Sequence, residues 1–132
     1  MGKLSCVVVT PEKTALEQQA DFVVLPLFDG EIGIAPGHSP LIGRLAFGEI
    51  RLKEGGESVR YYLDGGFVQV TQDLVSVLTN RAVPAAELNV EVAEQLLESA
   101  RQRTANSPEL LVIRDRAVDQ ARAQLRMARR GT

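Results

Sequence analysis

The chain has no tryptophan, one cysteine and one histidine in 132 residues, and only 5% of it is aromatic. One cysteine cannot close an internal disulfide, which fits a reducing compartment. A zinc shell would have to be completed by carboxylates around the single His or Cys, and no close cluster offers them. The G-x-x-x-x-G-K-[ST] phosphate loop, G-x-G-x-x-G and G-x-S-x-G are all missing. An enzyme acting alone is therefore disfavoured. Uninterrupted apolar runs reach four to five residues, as in Phe22-Val-Val-Leu25, against the roughly 20 a membrane-spanning helix needs. Met1-Gly-Lys-Leu-Ser-Cys6 is too short in apolar residues for the core of a secretion signal. A net charge of −2 argues against wrapping nucleic acid with the whole surface.

What the sequence does contain divides near Pro84. Residues 1–84 hold ten of the 11 glycines, five of the six prolines and every aromatic residue. They also hold β-branched runs: Cys6–Thr10, Asp21–Leu25, Glu49–Lys53, Ser58–Leu63, Gly66–Thr71 and Leu74–Thr79. Several alternate apolar with polar residues at period two, the mark of a strand with one buried face. Glu54-Gly-Gly-Glu57 and Gln72-Asp73 read as hairpin turns. Six or more closely spaced strands predict an antiparallel sandwich or a flattened barrel.

Residues 85–132 are rich in Ala, Glu, Gln, Arg and Leu. Asn89 is a good N-cap, and Val92, Ala93, Leu96, Leu97 and Ala100 predict one apolar helical stripe. Ala105-Asn-Ser-Pro108 breaks the pattern; Ser107 can cap a second helix that starts with Pro108. Its predicted stripe is Leu111, Val118, Ala121, Leu125 and Ala128. A turn this short predicts an antiparallel helical hairpin, so the chain is α+β: an N-terminal β-sandwich followed by two helices.

Charge is unevenly shared. Residues 1–84 carry a net −3 and residues 110–132 a net +4. Arg122, Arg126, Arg129 and Arg130 recur at helical spacing and share one face. Basic residues suit the negative end of a helix and stay solvated there. One or two would satisfy that end, however, and four repel one another, so a docking surface for an acidic partner is the alternative.

Residues 25–48 read as a dense loop system with turns at Asp29-Gly30 and Pro36-Gly37, between which Ile32 and Ile34 point the same way. His38 lacks an acidic neighbour in sequence, which favours a structural or contact role over catalysis. The pattern Asp29-Gly-Glu-Ile-Gly-Ile34, then Pro36-Gly-His-Ser-Pro-Leu41, Gly48-Glu-Ile-Arg-Leu52 and Asp64-Gly-Gly-Phe-Val-Gln-Val70 resembles the epsilon subunit of F-type ATP synthase, called delta in mitochondria. Pieces and order match along essentially the whole chain.

The resemblance implies a β-sandwich of about ten strands (residues 1–84) and a mobile two-helix regulatory domain (residues 85–132). It implies a non-catalytic rotor subunit of a proton-translocating synthase, joining gamma to the c ring, peripheral on the cytoplasmic face of the bacterial inner membrane. Glu31 and His38 become candidates for c-ring contact, and the other side of the sandwich for gamma. Arg122, Arg126, Arg129 and Arg130 become candidates for meeting acidic residues of a beta subunit, where the extended hairpin blocks ATP hydrolysis. Some members bind ATP through [Ile/Leu]-Asp-x-x-Arg-Ala. Here the stretch is Leu88-Asn-Val-Glu-Val-Ala93, and Asn89 and Val92 remove both charged groups, so no nucleotide or other cofactor is expected. The competing reading is a free-standing sandwich adaptor whose basic helix binds an acidic protein or nucleic acid. The arginines lack interleaved aromatics, which makes nucleic acid the weaker variant.

Overall fold

A computed structural model describes residues 2–130. The chain divides into two compact units, Met1–Val83 and Pro84–Thr132. In the first, eight strands follow one another: β1 (Leu4–Val9), β2 (Thr14–Ala20), β3 (Phe22–Leu27), β4 (Gly30–Ile34), β5 (Leu41–Glu54), β6 (Glu57–Thr71), β7 (Leu74–Leu78) and β8 (Ala82–Pro84). They form one hydrogen-bonded path, β2-β1-β7-β6-β5-β3-β4, with β8 pairing β6. Every pair on this path is antiparallel except β1 with β7, which run parallel. The expected antiparallel sandwich is present, with β1–β7 as its parallel pair.

The eight strands meet the expectation of about ten because two of them are used twice. β5 and β6 run 14 and 15 residues, and their register holds from Leu41↔Val70 to Glu54↔Glu57. Core-facing positions are odd in the first half of β5 (Leu41, Leu45) and even in the second (Ile50, Leu52). In β6 they pass from Val59, Tyr61 and Leu63 to Val68 and Val70. Since side chains alternate strictly along a strand, both strands must turn over halfway. One layer therefore holds β2, β1, β7 and the Gly66–Val70 and Leu41–Leu45 segments. The other holds the remaining halves with β3 and β4, and the layers close on a single apolar core.

Gly65 and Gly66 mark the turnover with φ of +74° and +114°. A Cβ on Gly66 would lie 1.9 Å from the carbonyl oxygen of Leu78, so only glycine lets β6 pass β7 this closely. Leu4, Cys6, Val8, Val23, Ile50 and Val75 are almost fully buried, each contributing about 1.5–3 kcal/mol if apolar and branched. Burial pushes the Cys6 thiol up to about 12, so it is a small core residue rather than a nucleophile.

The loop system expected over residues 25–48 is largely strand. Its first part closes β3, β4 pairs with β3 from Val23↔Ile34 to Leu27↔Gly30, and β5 begins at Leu41. Phe28-Asp29, at the expected Asp29-Gly30 turn, and residues 35–40 remain outside a strand, with Gly30 and Gly37 at φ +133° and +85°. Pro26 is accommodated where the β3–β5 register shifts between Val24 and Leu27, since a ladder irregularity releases the N–H that proline lacks. The two hairpin turns form as expected: Gly55 and Gly56 at φ +59° and +86°, Gln72 and Asp73 at +50° and +63°.

In the second unit a 3-10 turn, Ala85–Glu87, precedes α1 (Val90–Arg101) and α2 (Pro108–Arg130). Asn89 Oδ1 accepts the Val92 N–H at 3.1 Å, and Ser107 Oγ accepts the Leu110 N–H at 3.2 Å. Both expected caps are present. The seam between the helices is narrower than the predicted stripes: Ala93, Leu97, Ala121 and Leu125, flanked by Val90 and Val118. Val92, Leu96 and Leu111 are exposed and Ala128 is half-buried. Period 3.6 finds a broad apolar arc, but the alanines bring the helices together along one line of it.

Gly66→Ala should cost upwards of about 3 kcal/mol in urea-unfolding free energy, because neither β7 backbone nor φ can yield. Gly56→Ala, whose Cβ meets nothing within 4 Å, should cost about 1 kcal/mol for its left-handed backbone alone.

Candidate functional site

The face switch gives each layer an outer surface, and the two differ in chemistry. On the outer side of the β4-containing layer, register sets Glu49 opposite Tyr62 and Arg51 opposite Arg60, with Val24 beside both Arg51 and Gly33. Two arginines directly across a ladder repel. Glu49 bridges them: Arg51 Nη1 donates to its Oε1 at 2.9 Å and Arg60 Nε to its Oε2 at 2.8 Å. Arg51 Nη1 also reaches Glu31 Oε2 at 3.3 Å. The bond to Glu49, and secondarily that to Glu31, raises the Arg51 pKa and holds it charged. Charges thus alternate from Arg60 through Glu49 and Arg51 to Glu31. From Glu49 outward exposure grows, from 5% at its side chain to 52% at Glu31.

Glu31, one of the two expected contact residues, is therefore exposed but paired. His38, the other, is half-buried in the 35–40 loop. Its N–H donates to Ala35 O at 3.1 Å, and its Nδ1 lies 2.7 Å from Ser39 O. A carbonyl only accepts, so Nδ1 carries a proton and Nε2 is the atom left for other contacts. The fold brings Glu31 and His38 to the two ends of one short β4–loop segment. It adds Glu49, Arg51 and Arg60, which the sequence reading did not single out; the signal was an acidic residue inside the alternating run Glu49–Lys53.

The outer side of the other layer carries exposed apolar side chains. Ile42, Phe67 and Leu78 are 77%, 59% and 60% exposed, and register places Arg44 opposite Phe67 and Phe67 opposite Leu78. The Arg44 guanidinium stacks over exposed Phe28 at 4.9 Å from the ring centroid. Beside these side chains a groove is lined by Val9, Pro11, Phe67 and Leu78. Phe67 beside Leu78 makes an exposed apolar patch of the kind that interaction surfaces use.

In the helical unit Arg122, Arg126, Arg129 and Arg130 are all exposed and flank the seam made by Ala121 and Leu125. Arg122 differs from the others because it also lines a polar groove with Arg101, Arg114, Asp115 and Asp119. Arg114 lies 3.7 Å from Asp115 there. Among the described residues, no three His, Cys, Asp or Glu side chains converge as a metal site would require.

An eight-strand sandwich whose two outer faces differ in chemistry, followed by a helical hairpin whose second helix carries an arginine face, is the build of an assembly subunit that works through its surfaces. Residues 3–85 match the family model described as ATP synthase, Delta/Epsilon chain, beta-sandwich domain. The chain is 48% identical over 126 residues to the ATP synthase epsilon chain of Rhodopirellula baltica, covering 96% of this chain and 98% of that one. It is 37% identical over 130 residues to the epsilon chain of Granulibacter bethesdensis, covering 98% and 94%. A chain in the cryo-EM structure of the Euglena gracilis mitochondrial ATP synthase, described as OSCP/F1/c-ring, superposes with a TM-score of 0.84 at 23% identity, over 93% of this chain and 79% of that one. That likeness speaks for the fold alone. The chain belongs to the ATP synthase delta/epsilon family, as the loop motifs implied, and membership makes it a non-catalytic subunit.

Arg60→Ala should cost about 3 kcal/mol in unfolding free energy, because it removes one of two cations from a buried carboxylate. The double change Glu49→Leu with Arg60→Leu should cost less than Arg60→Ala, since no buried charge loses its partner. Urea titration of the three proteins checks the order.

Proposed function

We propose that the chain joins the rotor of a proton-translocating F-type ATP synthase, standing between the gamma subunit and the c ring, and that its C-terminal helices restrain ATP hydrolysis. The observation that carries the reading is the pairing of two unlike surfaces on one sandwich. The Glu31–His38 segment suits the polar loops of a membrane ring, since a carboxylate and an imidazole offer hydrogen bonds and charge without apolar area. The Ile42, Phe67 and Leu78 face suits gamma, because burying such side chains supplies affinity. Membership of the synthase makes the chain peripheral to the membrane. No helix among the described residues is long and apolar enough to cross it. The cytoplasmic face of a bacterial inner membrane is part of the proposal.

Restraint of hydrolysis rests on the helical unit. Its seam buries two leucines and two alanines, which amounts to a few kcal/mol at about 2 kcal/mol per leucine. A partner with a comparable preference for the opened hairpin can overturn a seam of that size. Arg126, Arg129 and Arg130, with Arg122 at the groove edge, then supply charge for acidic residues of a beta subunit. Removing residues 85–132 should raise the ATPase rate of the assembled complex severalfold. Replacing the four arginines with alanine should raise it about two- to tenfold, as expected from four partly screened charge contacts. An unchanged rate in both would overturn the inhibitory role.

We also propose that the Leu88–Ala93 stretch serves as a helix start rather than a nucleotide motif. Asn89 uses its side-chain oxygen on the Val92 N–H. Isothermal titration of the full chain with ATP should show no micromolar binding.

A further inference from the structure

The 35–40 loop joins β4 to β5, and the Leu41↔Val70 pairing carries its far end to the β6–β7 turn. There the Gly37 N–H donates to Asp73 Oδ1 at 2.7 Å, across 36 residues of sequence. Asp73 is itself a fixed post. Its backbone oxygen accepts the Ser5 N–H at 2.8 Å, and its φ of +63° sets its side chain at the tip of a two-residue turn. At the other end of the same segment, Arg51 holds the Glu31 carboxylate at 3.3 Å while anchored on buried Glu49 at 2.9 Å. Each end of the Glu31–His38 segment is thus tied, by a side chain from outside it, to a part of the sheet with its own firm attachment.

We infer that Asp73 and Arg51 are positioning residues that hold the Glu31–His38 segment in its binding shape, so that the ring surface meets a preformed contact. The inference rests on the c-ring reading above. A loop already ordered pays less conformational entropy on association, and a carboxylate already held by Arg51 presents a fixed oxygen rather than a freely rotating charge. Arg51 also takes up part of the Glu31 charge, so long-range attraction to any cation is weakened while a partner that fits the oriented oxygen is still accepted.

The test is rebinding of F1 that carries variant chains to membranes stripped of F1 but retaining the c ring. Asp73→Gly removes the acceptor while tolerating the positive φ, and should weaken rebinding about three- to tenfold, the scale of a lost preorganising contact. Asp73→Asn keeps an acceptor oxygen and tolerates the same backbone, so it should restore rebinding to within about twofold. Arg51→Gln should weaken rebinding similarly and steepen its salt dependence, because Glu31 then acts as an unpaired charge. The thermal midpoint of the full chain and its retention on gamma should be unchanged by Asp73→Gly. If that variant lowers midpoint, gamma retention and rebinding together, its role is only structural and the inference fails. Glu31→Gln with His38→Ala serves as the control for the reading beneath it. Weakened rebinding in that control with none in Asp73→Gly and Arg51→Gln overturns the positioning roles alone. No weakening in the control overturns the contact reading and the inference with it.

Discussion

The β5–β6 hairpin turns over at its midpoint, and the rest of the sandwich is arranged around that turn. Paired strands of 14 and 15 residues are too long for one layer of a domain this small. Gly65 and Gly66, at positive φ, let β6 expose the opposite set of side chains to the core beyond them, and β5, paired alongside, changes sides as well. Because a strand has period two, the flip decides the fate of every residue on the two strands. Before it in β5, Ile42 and Arg44 face out; after it, Glu49 and Arg51 do. One hairpin thereby places exposed apolar side chains on the outer side at one end and charged ones at the other.

The charged surface is held by a balance of desolvation against pairing. A carboxylate as enclosed as Glu49 is costly unless it is fully satisfied, and here each oxygen has its own guanidinium. Among the described residues, no buried side-chain nitrogen or oxygen lacks a partner. Arg51 and Arg60 would repel across the ladder without Glu49, and Glu49 would be a buried charge without them. The helical unit is built the opposite way. Its alanine-lined seam gives a definite hairpin with little apolar area behind it, while leucines and valines such as Val92, Leu96 and Val112 remain on the outside. Such a unit keeps unspent apolar surface on its outer faces.

What could be read from sequence was whatever local chemistry decides. The turn at Gly55-Gly56 needs positive φ, Asn89 and Ser107 have the right side chains for caps, and Pro108 suits a first helical position; each forms as read. The family, too, was legible, because the motifs from Asp29 to Val70 recur as short strings in a set order. The strand β2 was not, since Thr14–Ala20 is polar and alternates weakly, and its pairing with β1 at the sheet edge supplies what propensity does not. Glycines and prolines across residues 25–48 read as loop for a similar reason: pairing with β3 and β6 outweighs local preference.

Sequence by itself determined the turn positions, the two helices with their caps, the division of residue types near Pro84 and the membership in a family. Tertiary structure alone decided which side of each long strand faces the core, because parity along a strand is fixed but its phase depends on where the chain turns over. It alone decided that Glu31 is paired and that Asp73 meets Gly37, since these partners lie 20 and 36 residues apart and only the sheet register brings them together. The apparent neutrality of the chain has the same explanation. Charges of both signs were countable from the start and the arginine face followed from helical spacing, but the alternating line on one layer is a property of packing.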